Sequence, residues 1–277
     1  MTVHARHGAV TDIGRVRRGN EDRYLVDPSL GLYAVADGMG GHRAGEVASE
    51  TALDALHEAV GDGGDIETAM TLANEAVFEK ASDDDELRGM GTTLTAVTLR
   101  DDKLEVGHVG DSRAYLRRDG SLQQLTDDHS LVAELVAAGE ISEDEAEVDP
   151  RRSMITRALG IEPGVEVDVV PIAVQAGDRL VLCSDGLTGM IRDDALAEIL
   201  EQESDPKDAA KRLVDRANEA GGIDNVTVVV VDIVDGPAPD DGELVERGPQ
   251  PGESSGGPLR RTMRRLRLRR KADPSGE

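Results

Sequence analysis

Three aspartates in this 277-residue chain share one design, and carboxylates placed that way can hold a metal. The apolar run Leu32-Tyr33-Ala34-Val35-Ala36 leads into Asp37-Gly38, and Leu180-Val181-Leu182-Cys183-Ser184 leads into Asp185-Gly186. Asp224-Asn225 stands immediately before the apolar stretch that opens at Val226. Each puts a carboxylate at the end of an expected strand, where the sheet fixes its position and a glycine permits close backbone approach. Carboxylates converging near an apolar core raise one another's pKa, and divalent cations remove that penalty. Hard oxygen donors with room for water suit Mg2+ or Mn2+ and not zinc. Taken singly, an Asp-Gly pair is more simply a turn former. Upstream, Arg17-Arg18-Gly19-Asn20-Glu21-Asp22 adds carboxylates and an arginine. An arginine's planar fork suits a phosphate held against a metal, although the stretch by itself also reads as a solvated charged loop. The combined reading is a metal-dependent phosphate-ester hydrolase.

Positioning such groups requires rigid elements. Apolar periodicity predicts helices over 44–60, 66–80, 130–138, 193–201 and 206–220. Strands are expected at 9–13, 24–26, 32–36, 92–100, 104–109, 114–118, 122–125, 165–172, 179–183 and 226–234, with Asp119-Gly120 as a hairpin turn. The acidic stretch up to Pro150 reads as exposed. The nearly unbroken apolar run from Val226 reads as a central strand covered on both faces. Helices do not alternate one-for-one with strands, which favours antiparallel sheets with helices layered outside over a doubly wound parallel sheet. Residues 236–258 are rich in Gly, Pro, Asp, Glu and Ser without periodicity, and read as a disordered linker.

Charge separates the chain into an acidic body and a basic tail. The formal net charge is −25, from 31 basic and 56 acidic residues. Eight of the basic residues but only two of the acids lie in 259–277, so residues 1–258 carry a net of −31. A body this acidic repels nucleic acid and anionic lipid. The lone Cys183 sits in an apolar run and reads as a buried hydrophobe in a reducing compartment, not a nucleophile. With no apolar leader and no run of about 18 apolar residues, the expected location is cytoplasmic.

At this level the residues resemble the type 2C metal-dependent protein serine/threonine phosphatases, in their bacterial and archaeal branch. The motifs are Arg17-x-x-Asn20-Glu21-Asp22, Ala36-Asp37-Gly38-Met39-Gly40-Gly41-His42, Gly91-Thr92-Thr93, Val109-Gly110-Asp111-Ser112-Arg113, Ser184-Asp185-Gly186-Leu187-Thr188 and Gly222-Ile223-Asp224-Asn225-Val226-Thr227. They fall in the family's order across residues 8–234. The resemblance implies an α+β fold, a four-layer α-β-β-α sandwich with two central antiparallel sheets, in a catalytic domain spanning 1–235. It implies two Mn2+ or Mg2+ ions and a weaker third. Asp37 would bridge two metals, and the Gly38 carbonyl would bind one of them. Asp185 and Asp224 would hold the other. Glu21 and Asp22 would support the second metal, Arg17 would bind phosphate, and Asp111 with Asp185 would hold the third ion. The implied activity is hydrolysis of phosphoserine and phosphothreonine on proteins by a metal-bridging hydroxide, without a phosphoenzyme. The competing function is a catalytically inactive phosphatase-like binding module, which should have lost metal carboxylates. Where eukaryotic members carry a histidine after Asp-Gly, this chain has Met39. His42 or a metal-bound water is the candidate general acid. Residues 126–160 match the family's variable flap, where His129, Arg152 and Arg157 are candidates to touch a phosphopeptide.

The tail, 259–277, presents a short apolar stripe between arginines. It suits peripheral contact with an anionic membrane, with an unstructured basic tail as the equal alternative. Expected partners are phosphorylated proteins, the substrates of Ser/Thr kinases, with no specific nucleic acid and a monomeric state.

Overall fold

A computed structural model describes residues 3–100, 103–235 and 245–248, with Val3 and His42 described by backbone alone. The chain opens with β1 (Val3–Asp12), β2 (Asp22–Asp27) and β3 (Leu32–Met39), then α1 (His42–Gly61) and α2 (Ile66–Asp83). A meander follows through β4 (Gly91–Thr92), β5 (Leu94–Arg100), β6 (Lys103–Val109), β7 (Arg113–Arg118) and β8 (Ser121–Gln124). Short helices α3 (Leu131–Ala137) and α4 (Glu143–Val148) precede β9 (Asp168–Ala173) and β10 (Arg179–Cys183). The remainder comprises α5 (Asp185–Thr188), α6 (Asp193–Gln202), α7 (Pro206–Glu219), β11 (Val226–Asp235) and β12 (Glu246–Arg247).

Two antiparallel sheets result. The five-stranded sheet runs β1-β11-β10-β7-β8, and the seven-stranded sheet runs β12-β2-β3-β5-β6-β9 with β4 on β3. Side-chain alternation explains the layering. In β11, Val229, Val231 and Ile233 enter the interior between the sheets, while Val226, Val228 and Val230 face α6 and α7. In β3, Tyr33 and Val35 meet that same interior, while Leu32, Ala34 and Ala36 face α1 and α2. The order is therefore helix pair, sheet, sheet, helix pair, as expected, and β11 is covered on both faces. α7 starts cleanly because Asp205 accepts from the Lys207 and Asp208 N–H groups and Pro206 occupies the first turn. Asp119 and Gly120 take φ of 52° and 80°, the conformation a two-residue hairpin requires.

Several expectations are corrected. β1 is ten residues long because it pairs with β11 along its whole length, from Val3 opposite Asp235 to Asp12 opposite Val226. The stretch 92–100 is two strands, β4 and β5. The acidic segment before Pro150 is exposed as expected but contains the unforeseen α4, which buries no residue and is held by a capping box between Ser142 and Glu145. Within the range read as linker, Glu246 and Arg247 pair with Val26 and Leu25 of β2. The rest of that range and the basic tail lie outside the described residues. Among the described residues no helix is long and apolar enough to cross a membrane.

Candidate metal centre

The sheets bring the acidic residues together at one end of the sandwich, though not all at strand ends. Asp37 lies inside β3, and the β2–β3 register sets Asp22 directly opposite it. Asp185 is the first residue of α5, preceded by Ser184, whose hydroxyl makes no capping bond to the helix, and it is not part of a loop turn. Asp224 occupies the turn before β11, and Asp111 the turn between β6 and β7. Neither Gly38 nor Gly186 is among the residues with positive φ, so these Asp-Gly pairs are not turn formers. Their glycines are needed for close approach. A Cβ on Gly38 would fall 2.0 Å from the Gly45 carbonyl oxygen, and one on Gly186 would fall 1.8 Å from that of Asn225.

Hydroxyl and amide groups hold the acids in place. The Asp37 N–H donates to Thr93 Oγ1 at 2.9 Å, and the Asp37 carbonyl accepts from Thr92 Oγ1 and the Thr93 N–H, both at 2.9 Å. Ser184 Oγ donates to Asp22 Oδ2 at 2.7 Å and accepts from the Thr227 N–H at 3.0 Å, joining the two sheets. Asn225 is a second clip. Its Oδ1 accepts from the Glu21 N–H at 2.8 Å, and its Nδ2 donates to the Ile13 and Gly19 carbonyls, both at 2.9 Å. Buried Arg23 donates to the Asn20 and Asp22 carbonyls at 2.6 and 2.8 Å, bracing the same loop. Apart from Arg23, these holders lay within the sequence motifs. Of those within the motifs, only Ser184 and Asn225 stand beside an acid, and a small polar residue reads alike whether it braces a site or faces water.

Electrostatically, this end of the sandwich is under load. Burial first, and the neighbouring aspartates second, push Asp37 well above the usual carboxylate range. Burial, against hydrogen bonds from Ser184 and Thr227 and with Asp185 and Asp224 nearby, takes Asp22 up to about 7. Burial and Asp185 take Asp111 up to about 8, and burial and Asp224 take Asp185 up to about 6. One oxygen of each of Asp22, Asp111 and Asp185 is buried without a hydrogen-bond partner. Such orphaned carboxylate oxygens are costly, and a divalent cation is the partner that suits several of them at once. Among the described residues, no three or more His, Cys, Asp or Glu side chains close into a tight ligand cage. The fit to a metal rests instead on the burial, the mutual charge and the orphaned oxygens of these acids.

At the rim, Arg17 Nη2 contacts Asp224 Oδ2 at 2.6 Å, and the Arg17 side chain remains 51% exposed. Its hydrogen bond to Asp224 holds the guanidinium firmly charged. Glu21 is buried at the foot of α1, and a Cβ on Gly45 would fall 1.9 Å from Glu21 Oε2. The backbone of His42 opens α1, but its side chain lies outside the description. Cys183 is buried and its thiol is pushed up to about 12, which excludes it as a nucleophile. Two of the flap candidates are engaged internally: Arg157 with Asp168 at 2.7 Å, and His129 with Gly110 and Asp168, both at 3.0 Å. Arg152 is exposed.

Comparison with known proteins agrees with this geometry. The family model described as Protein phosphatase 2C matches residues 17–221. The serine/threonine phosphatase stp of Listeria monocytogenes is 41% identical over 235 residues, covering 80% of this chain and 93% of that protein. The serine/threonine protein phosphatase PstP of Mycobacterium tuberculosis is 44% identical over 242 residues, 85% of this chain but 46% of that longer protein. The crystal structure of the PstP catalytic domain in complex with two manganese ions superimposes with a TM-score of 0.78 at 42% identity, covering 84% of this chain and all of that one. The inactive-module alternative fails, because every carboxylate the resemblance requires is present and gathered at one end of the sandwich. The chain belongs to the protein phosphatase 2C family and is a metal-dependent protein phosphatase.

Proposed function

We propose that this protein hydrolyses phosphoserine and phosphothreonine on proteins, with the acidic end of the sandwich as its two-metal centre. The observation that carries the reading is the set of buried, mutually destabilised carboxylates with orphaned oxygens on Asp22, Asp111 and Asp185, placed beside an exposed arginine. Asp37, the Gly38 carbonyl, Asp185 and Asp224 would hold the two cations, with Glu21 and Asp22 supporting them from the β2 side. Asp111 with Asp185 would hold a weaker third ion. Bound there, divalent cations lower the pKa of water toward neutrality and neutralise phosphoryl charge.

The chain's own groups do the rest. Arg17 swings from Asp224 to the phosphoryl oxygens, where its fork holds them in line and offsets the charge that spreads during transfer. Thr92 and Thr93 keep the Asp37 backbone from shifting, and Ser184 keeps Asp22 oriented. Neither Cys183 nor Ser184 is placed to attack, so no phosphoenzyme is needed. His42, three residues beyond Met39, is the side-chain candidate for protonating the leaving alkoxide. The substrates fit proteins modified by Ser/Thr kinases. The enzyme acts as a cytoplasmic monomer, with the tail 259–277 in peripheral contact with anionic lipid. The folded catalytic unit is 1–235 together with the strand at 246–247, and the remaining linker residues lead to that tail.

The test is hydrolysis of a phosphothreonine peptide with Mn2+, Mg2+ or EDTA. Activity is expected with either ion and abolished by EDTA. Hydrolysis that survives EDTA, or that persists in Asp37→Asn, would sink the two-metal reading.

A further inference from the structure

His129 precedes α3 and is 8% exposed, yet every polar atom it has is used. Its N–H donates to the Gly110 carbonyl at 2.7 Å, and the Gly110 N–H donates back to its ring Nδ1 at 3.0 Å. One residue therefore grips both sides of a single glycine. Because Nδ1 accepts, the proton of the neutral ring sits on Nε2, which donates to Asp168 Oδ2 at 3.0 Å. The other Asp168 oxygen accepts from Arg157 at 2.7 Å. The His129 carbonyl accepts the Thr156 N–H at 2.8 Å, and Ser130 bridges Ile155 beside it. His129 thus joins the segment 126–160 to Gly110 of the β6–β7 turn, beside further ties from Asp127 to His108 and from Asp128 to Arg113.

That turn is where Asp111 stands. Gly110 has φ of +114°, and a Cβ there would fall 2.6 Å from Thr93 Cβ, so the turn is pressed onto the residue that holds Asp37. Thr93 Oγ1 and Ser112 Oγ lie 2.8 Å apart on the other side of Asp111. Asp111 has one orphaned, buried oxygen, and its carboxyl takes a hydrogen bond from its own backbone N–H. Its direction is therefore inherited from the backbone on either side, and His129 holds one side.

We propose that His129 is a positioning residue that couples the segment 126–160 to the Asp111 carboxylate, so that the affinity of the Asp111 metal position depends on how that segment sits. This rests on the reading of Asp111 as a metal ligand. Outer contacts of this kind are worth about tenfold to a hundredfold in metal affinity. Two substitutions divide the clamp. In His129→Asn, the side-chain oxygen takes the place of Nδ1 and can accept from Gly110, while the Asp168 contact is lost. In His129→Ala, both are lost.

The experiment uses the full-length protein and two readouts. One is Mn2+ binding by calorimetry. The other is backbone hydrogen exchange in the peptide spanning 109–112, measured in EDTA. His129→Ala should weaken the weakest Mn2+ site by about tenfold and speed exchange at 109–112. His129→Asn should restore most of both. Parental Mn2+ affinity in His129→Ala would overturn the proposal, as would equal defects in the alanine and asparagine variants. Asp111→Asn is the control. If it binds Mn2+ as the parent does, the ligand assignment of Asp111 fails and the coupling falls with it. If only Asp111→Asn weakens binding, the ligand stands and the coupling alone is lost.

Discussion

Asp37 and Asp224 are the same residue type in the same site, yet they live in different environments. Asp37 is enclosed within a strand, braced through its backbone by two threonines, and surrounded by other acids. Asp224 sits at the rim with its carboxylate 28% exposed and an arginine on it. The outer group has Arg17 hydrogen-bonded to it, whereas the inner one feels that arginine only through a lesser coulombic attraction. The difference divides the site into an enclosed, acid-crowded floor and a rim where a half-exposed arginine meets a carboxylate.

The largest effect should come from the floor. Asp37→Asn is expected to lower kcat by roughly a thousandfold or more, the scale of losing a group that organises transition-state charge. Peptide-hydrolysis kinetics at saturating Mn2+ check it, and a loss smaller than that of Asp224→Asn would reverse the comparison. Arg17→Ala should cost about tenfold to a hundredfold in kcat/KM, the worth of charge-assisted hydrogen bonds. Mn2+ affinity should be kept or increased, because Asp224 is released. Weaker Mn2+ binding in Arg17→Ala would place the arginine in the floor and not the rim.

A gentler probe is pH in EDTA. Asp185, Asp22 and Asp111 have folded pKa values raised to about 6, 7 and 8. The folded state therefore binds more protons than the unfolded state. Stability is fully present below the ordinary carboxylate pKa and is lost as pH rises through these values. The melting temperature of metal-free protein should fall between pH 5 and about pH 8, and Mn2+ should raise it more at the alkaline end. A flat profile would mean that the floor carries less mutual repulsion than its burial implies.

Much of this arrangement was legible in the chain itself, for identifiable reasons. β11 announced itself because six consecutive valine or threonine side chains serve two cores, and Asp119-Gly120 because few residue pairs tolerate positive φ. The acids stood out because each follows or precedes an apolar run. What escaped notice depended on distant partners or on purely local polar bonds. The first half of β1, with His4, Arg6 and His7, lacks an apolar pattern, and its pairing to β11 at the sheet edge extends it. α4 buries nothing, so no periodicity marks it. β12 is two residues long and exists only through β2. The roles of Ser184, Asn225 and His129 required knowing which backbone groups stand opposite them.

The interior between the sheets has a consequence for the chemistry at its end. Asp22 and Asp37 ride on one sheet, while Asp185 and Asp224 are attached to the other. Tyr33 and Val35 face Leu182 and Val229 across the gap, with Ser184 and Asn225 as the clips at the mouth. The aliphatic filling thus works as a spacer that sets how far apart two jaws stand. Methyl groups buried out of sight of any substrate gauge the opening into which two cations must fit.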